Sequence, residues 1–275
     1  MKKFYSAIPA MLTGIIFAGC CCFNSAPAKT ADKPAAGPAA KPAAKVSILL
    51  AGDSTCASYP ASRAPLTGWG QVLNQYCREG VTVRNHALSG YSTRSFIRNK
   101  KWDKLVSEIK PGDYVVVQFG HNDGSKRHNR YTDPATSYRD NLKKFIADVR
   151  ARKGNPIIGT SIARCTYKNG KLDQGYIPKY AQAAIEVAKA EKVPCIDFNG
   201  IMAKEFNAVG EKAAFKNYLG RVNVPAKPAT AKTPAKPATV RIDRVHLNKD
   251  GALKVAAMFV AECKAQKLPI ADCFK

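Results

Sequence analysis

The chain predicts an α/β fold, a parallel sheet with helices on both faces. Three observations carry that reading. Apolar, β-rich runs alternate with helical patterns from residue 46 to the C-terminus. One run, Tyr114–Phe119, is apolar apart from Gln118, as expected of a strand buried on both sides. Polar turn motifs follow the first three strand-like runs, where open parallel sheets bind their ligands.

Taken in order, Val46–Ala51 reads as the first strand and 68–79 as a helix. Val81–Asn85 is the second strand, followed by a helical stretch at 93–109. Tyr114–Phe119 precedes a helix at 134–153, and Pro156–Ile162 precedes one at 178–191. Val193–Phe198 is the fifth strand, with a helix at 199–209. A last helix spans 249–266, with Asn248 as its N-cap.

The ends of the chain have a different composition. Lys2 and Lys3 precede a largely apolar stretch ending in Phe17-Ala18-Gly19-Cys20. That layout predicts a lipoprotein-type signal over 1–19 and lipidation at Cys20, with Phe17 replacing the usual leucine. Residues 20–45 become Ala/Pro/Lys-rich, too poor in apolar side chains to fold, and read as a tether. The domain then covers 46–275. A second Ala/Lys/Pro/Thr tract, 224–239, interrupts it and reads as a flexible surface insertion, with a lid over the site as the other reading. The expected location is the bacterial cell envelope or beyond it, with membrane contact only through the N-terminal lipid.

Of nine cysteines, Cys20, Cys21 and Cys22 belong to the signal. Cys263 and Cys273 are the favoured disulfide pair among the other six. No Cys/His spacing suits zinc, so no metal or cofactor is expected. The formal charge of +24 excludes few classes by itself. Clusters at Arg94, Arg98, Lys100, Lys101 and Lys104, and at Lys126, Arg127 and Arg130, read either as solvated helix faces and loops or as a field that would attract a polyanion. Nucleic acid is not the expected partner, since no binding motif accompanies the charge.

The chemistry rests on four short segments: Gly52-Asp53-Ser54-Thr55, Ser89-Gly90, Gly120-His121-Asn122-Asp123 and Asp243-Arg244-Val245-His246. A serine nucleophile needs a base, and His246 supplies one, with Asp243 three residues earlier, on the same loop before the last helix, to orient the ring. The tetrahedral intermediate needs donors, for which the Ser54 and Gly90 N–H groups and the Asn122 amide are candidates. Asp53 reads as a scaffold for the turn rather than the triad acid.

These blocks resemble those of the SGNH (GDSL-type) hydrolases. Gly-Asp-Ser-Thr at Ser54, Gly68-Trp69-Gly70, the block from Ser89 to Phe96 and the run Gln118 to Asp123 are most similar to rhamnogalacturonan acetylesterase-like members. Cys56, two residues after the nucleophile, departs from the expected small or aliphatic residue. The resemblance implies a three-layer α/β/α, flavodoxin-like fold with five parallel strands. It implies Ser54, Asp243 and His246 as triad and Ser54, Gly90 and Asn122 as oxyanion hole. It also implies deacetylation of a plant cell-wall polysaccharide, rhamnogalacturonan or another pectin. Arg94, His121 and Trp69 are the candidate substrate contacts, and the partner is an acetylated, acidic polysaccharide met by a monomer. The alternatives are a xylan acetylesterase, lipase or thioesterase on the same scaffold, or a non-catalytic glycan-binding lipoprotein.

Overall fold

The computed structural model describes residues 46–224, 228, 234, 235, 237 and 239–275. The expected signal, Cys20, the tether and most of the 224–239 tract lie outside the described residues.

The central sheet has five parallel strands: β1 (Ser47–Gly52), β2 (Thr82–Asn85), β3 (Tyr114–Gln118), β4 (Asn155–Gly159) and β5 (Cys195–Ile196). Their order is β2-β1-β3-β4-β5, so the chain reverses direction across the sheet between β1 and β3. All six residues of β1 are buried, which is why it reads as a continuous apolar run.

Strand alternation sorts the core into two halves. Ile48, Leu50, Val116 and Ile157 face one side, where they meet Trp69, Phe198 and Phe259. Leu49, Ala51, Val115, Val117 and Ile158 face the other, against Phe96, Trp102 and Phe145. The first side is covered by α1 (Trp69–Val72), α6 (Phe198–Tyr218) and α7 (Lys249–Ala265). The second carries α2 (Thr93–Arg98), α3 (Lys101–Glu108), α4 (Ser137–Ala151) and α5 (Ile177–Ala190). The result is the expected three-layer α/β/α architecture.

Several expected elements change. The stretch 93–109 is two helices, broken where Lys100 turns left-handed at φ 56°. The stretch 68–79 is one α turn and a short 3₁₀ helix. The helix at 199–209 continues beyond a kink at Gly210 to Tyr218. Two further strands, β6 (Leu219–Val224) and β7 (Thr239–Leu247), pair antiparallel, so the Lys/Pro-rich tract connects the arms of a hairpin. All six domain cysteines are free, including Cys263 and Cys273. Burial pushes the Cys56 thiol well above its ordinary value, leaving it an inert packing group.

Candidate active site

Three sheet strands deliver their following loops to one edge. After β1 the chain turns sharply: the Asp53 carbonyl accepts from the N–H groups of Cys56 and Ala57 at 3.2 and 3.1 Å. Asp53 Oδ1 accepts from Thr55 N–H at 2.9 Å and Thr55 Oγ1 at 2.8 Å. This carboxylate therefore holds the turn. Tyr59 Oη donates to the Ser54 carbonyl at 2.7 Å and clamps the same segment from outside.

Ser54 Oγ lies 2.8 Å from His246 Nε2. On the far side of the ring, Nδ1 lies 2.8 Å from Asp243 Oδ2. Both residues sit on the last part of β7 rather than on the expected loop. Asp243 Oδ1 accepts from the N–H groups of Val245 and His246, each at 2.9 Å, which locks the carboxylate to the backbone that carries the histidine. Burial would raise the Asp243 carboxyl, but the bonds and charge of His246, with those two N–H groups, outweigh it and bring it down to about 2. An ionised Asp243 accepts the proton on Nδ1, so Nε2 is left to accept from the serine hydroxyl. Arg244, between them, bridges to Glu211 of α6 at 3.2 Å and lies over the Phe215 ring, fastening this strand to the domain.

Beside Ser54 are three polar hydrogens. Among the described residues, neither the Ser54 nor the Gly90 N–H has an acceptor. Gly90 has φ +82°, where an L side chain is strained, and a Cβ there would meet Arg130 Nη2 at 3.2 Å. The Asn122 amide gives one hydrogen to the Tyr91 carbonyl at 3.0 Å, while its oxygen accepts from Arg130 Nη1 at 3.2 Å. Its second hydrogen is unengaged by any described residue. Asp123 ties the Gly90 and Asn122 loops together: it accepts from Thr93 N–H at 3.1 Å, Thr93 Oγ1 at 2.5 Å and Thr132 Oγ1 at 2.8 Å. Burial pushes the Asp123 carboxyl up to about 7 against these donors.

Ser54, Gly90, Asn122, Asp243 and His246 line one open cleft of about 570 Å³. Its remaining wall includes Arg130, Arg164 and Tyr176. Arg130 belonged to a basic cluster in the sequence; Arg164 and Tyr176 carried no signal there. The expected substrate contacts fare differently. Trp69 is fully buried, its Nε1 donating to Gln118 Oε1 at 3.0 Å, so it cannot touch a ligand in the cleft. The Gly-Trp-Gly run is a packing device: a Cβ on Gly68 would lie 2.1 Å from the Ala57 carbonyl oxygen. Arg94 is exposed on α2 and outside the cleft lining. His121 does line the cleft, but it is buried, with Nε2 3.1 Å from the Ile162 carbonyl oxygen. Burial lowers its basicity and keeps it neutral. Among the described residues no group of three His, Cys, Asp or Glu side chains could hold a metal.

A serine within reach of an imidazole held by a carboxylate, with unengaged donors alongside, is built for acyl transfer. Residues 50–253 match the GDSL-like lipase/acylhydrolase family. The chain belongs to that family. Rhamnogalacturonan acetylesterase RhgT of Bacillus subtilis (strain 168) is 32% identical over 228 residues, which cover 82% of this chain and 93% of RhgT. The probable rhamnogalacturonan acetylesterase YesY of the same organism is 31% identical, covering 82% of this chain and 95% of its own length. Among solved structures, YxiM of Bacillus subtilis superimposes with a TM-score of 0.66 at 26% identity. That match covers 83% of this chain and 59% of the YxiM chain. Axe2, an acetylxylan esterase from Geobacillus stearothermophilus, shares the fold with a TM-score of 0.57 at 16% identity, over 80% of this chain and 94% of that one. This GDSL-family chain is a serine hydrolase of carboxylic esters.

Proposed function

We propose that this esterase removes acetyl groups from a plant cell-wall polysaccharide, rhamnogalacturonan or a related pectin. The observation that carries the reading is the cleft itself: the Ser54–His246–Asp243 chain opens onto a wall that carries Arg130 and Arg164. Guanidinium groups suit the carboxylates of an acidic polymer, whereas a neutral xylan or an acyl chain brings no charge to meet them. The names of RhgT and YesY agree with that choice.

Ser54 Oγ attacks the acetyl carbonyl carbon as its proton passes to His246 Nε2. Asp243 keeps the ring oriented and stabilises the imidazolium. The oxyanion accepts from the Ser54 and Gly90 N–H groups and from the free Asn122 hydrogen. Collapse breaks the carbon–oxygen bond to the sugar, and His246 returns the proton to the leaving hydroxyl oxygen. Water, deprotonated by His246, then hydrolyses the acetyl-enzyme to acetate and free serine.

The deciding experiment is acetate release from acetylated rhamnogalacturonan, acetylated xylan and an octanoyl ester, each at matched ester concentration. Preference for rhamnogalacturonan supports the reading; preference for xylan or octanoate overturns it. We also place the enzyme outside the cytoplasm, lipid-anchored at Cys20, because the charged, apolar leader ends at that thiol. Metabolic labelling with a fatty acid that disappears in Cys20→Ala tests the anchor, and labelling that persists contradicts it.

A further inference from the structure

The polar surface does not stop at the cleft. A second recess of about 270 Å³ adjoins it and shares Ser89, Gly90 and Arg130 with it. Its far wall is formed by Arg98 and Asn99 at the end of α2. Arg98 Nε donates to Asn99 Oδ1 at 3.3 Å, and Asn99 Nδ2 reaches Tyr91 Oη at 3.4 Å, so neutral partners hold this wall. Arg130 lines the same recess while its Nη1 stays on Asn122. Among the described residues, neither Arg98 nor Arg130 forms an ion pair, and no acidic residue lines the recess. Two guanidinium groups thus face one small polar hollow with their charge uncompensated.

We propose that this recess is an anion subsite that receives the carboxylate of a second acidic sugar residue near the acetylated one on the same chain. The inference rests on the reading that the main cleft holds an acetylated sugar. A chain leaving Ser54 past Gly90 and the Arg130 guanidinium beside it, both shared by cleft and recess, comes next to Arg98. A carboxylate there accepts charge-assisted bonds from two guanidinium groups, whereas a neutral sugar brings no charge to offset theirs. Recognition of a second acidic unit makes the enzyme a reader of charge spacing along the polymer, distinct from the chemistry at the ester.

Unesterified oligogalacturonate, used as a competitive inhibitor of a small neutral acetyl ester, is the probe. It inhibits the wild-type enzyme at low salt, and added salt weakens the inhibition. Arg98→Gln raises its inhibition constant roughly 5–10-fold, as expected for one charge-assisted bond at a partly exposed site. The same variant leaves turnover of the neutral ester unchanged. Arg98→Lys, which keeps the charge but not the fork, falls between. Equal inhibition of wild type and Arg98→Gln, or no inhibition of wild type, overturns the subsite. If Arg98-dependent inhibition holds but acetylated rhamnogalacturonan yields no acetate, the anion subsite stands and the substrate reading alone falls.

Discussion

Replacing Arg130 by Met tests how the site orients Asn122, the side-chain donor proposed for the oxyanion. Asn122 has two ends of nearly equal size. Its oxygen accepts from Arg130 Nη1 at 3.2 Å and its nitrogen donates to the Tyr91 carbonyl at 3.0 Å. A flipped amide would set two donors face to face at Arg130, so the guanidinium fixes which end faces the reaction. Losing the donor altogether, as in Asn122→Ala, costs ~10²–10³ in kcat. Losing only its orienting partner costs about one hydrogen bond, or roughly tenfold, because Tyr91 still favours the amide nitrogen. The assay is steady-state hydrolysis of a small neutral acetyl ester, which excludes any role of Arg130 in holding acidic sugars. Arg130→Met lowers kcat with little change in KM, and the double variant is no slower than Asn122→Ala alone. Losses that multiply in the double variant would refute the reasoning and put Arg130 in independent contact with the transition state.

Asp243→Asn keeps the shape but loses the anion that fixes the imidazole, and kcat falls by ~10⁴. The same carboxyl titrates at about 2, below its unfolded value, so its charge stabilises the folded chain. By linkage that contribution is on the order of 2 kcal/mol. It is complete above about pH 4 and is lost as the pH falls through about 2. The wild-type advantage over Asp243→Asn in urea therefore narrows across that window, and an unchanged gap contradicts the assignment. Trp69→Phe removes a buried bond to Gln118 and costs about 1–3 kcal/mol in thermal or urea unfolding, while KM for polysaccharide stays the same. A raised KM with unaltered stability would return Trp69 to the substrate.

Much of the site was legible because it follows strands. Each of Ser54, Gly90 and Asn122 sits a few residues past a strand, and parallel topology carries all three to one edge. The two-sided burial of β1 and β3 was legible too, since Ile48–Ala51 and Val115–Val117 are apolar at every position and alternate between the two cores. The hairpin of β6 and β7 was hidden: its strands join only through long-range pairing, and the Lys/Pro-rich connection suppresses the local signal. It moved Asp243 and His246 from a loop to a strand. Arg164 was illegible because a lone loop arginine has no period to betray which way it faces. Trp69 misled for a physical reason. Its glycine neighbours suggest an open turn, yet they serve to bring α1 against the nucleophile loop, with the indole packed between Phe198 and Phe259.

The central claim, that Ser54 drives acetyl transfer from a pectic polymer, meets its most direct test in acetate release from acetylated rhamnogalacturonan. Wild type and Ser54→Ala are compared at equal, verified folded concentration. The account predicts steady release by wild type and release slower by several orders of magnitude by the variant, with wild-type circular dichroism in both. Release by Ser54→Ala at a substantial fraction of the wild-type rate would contradict it.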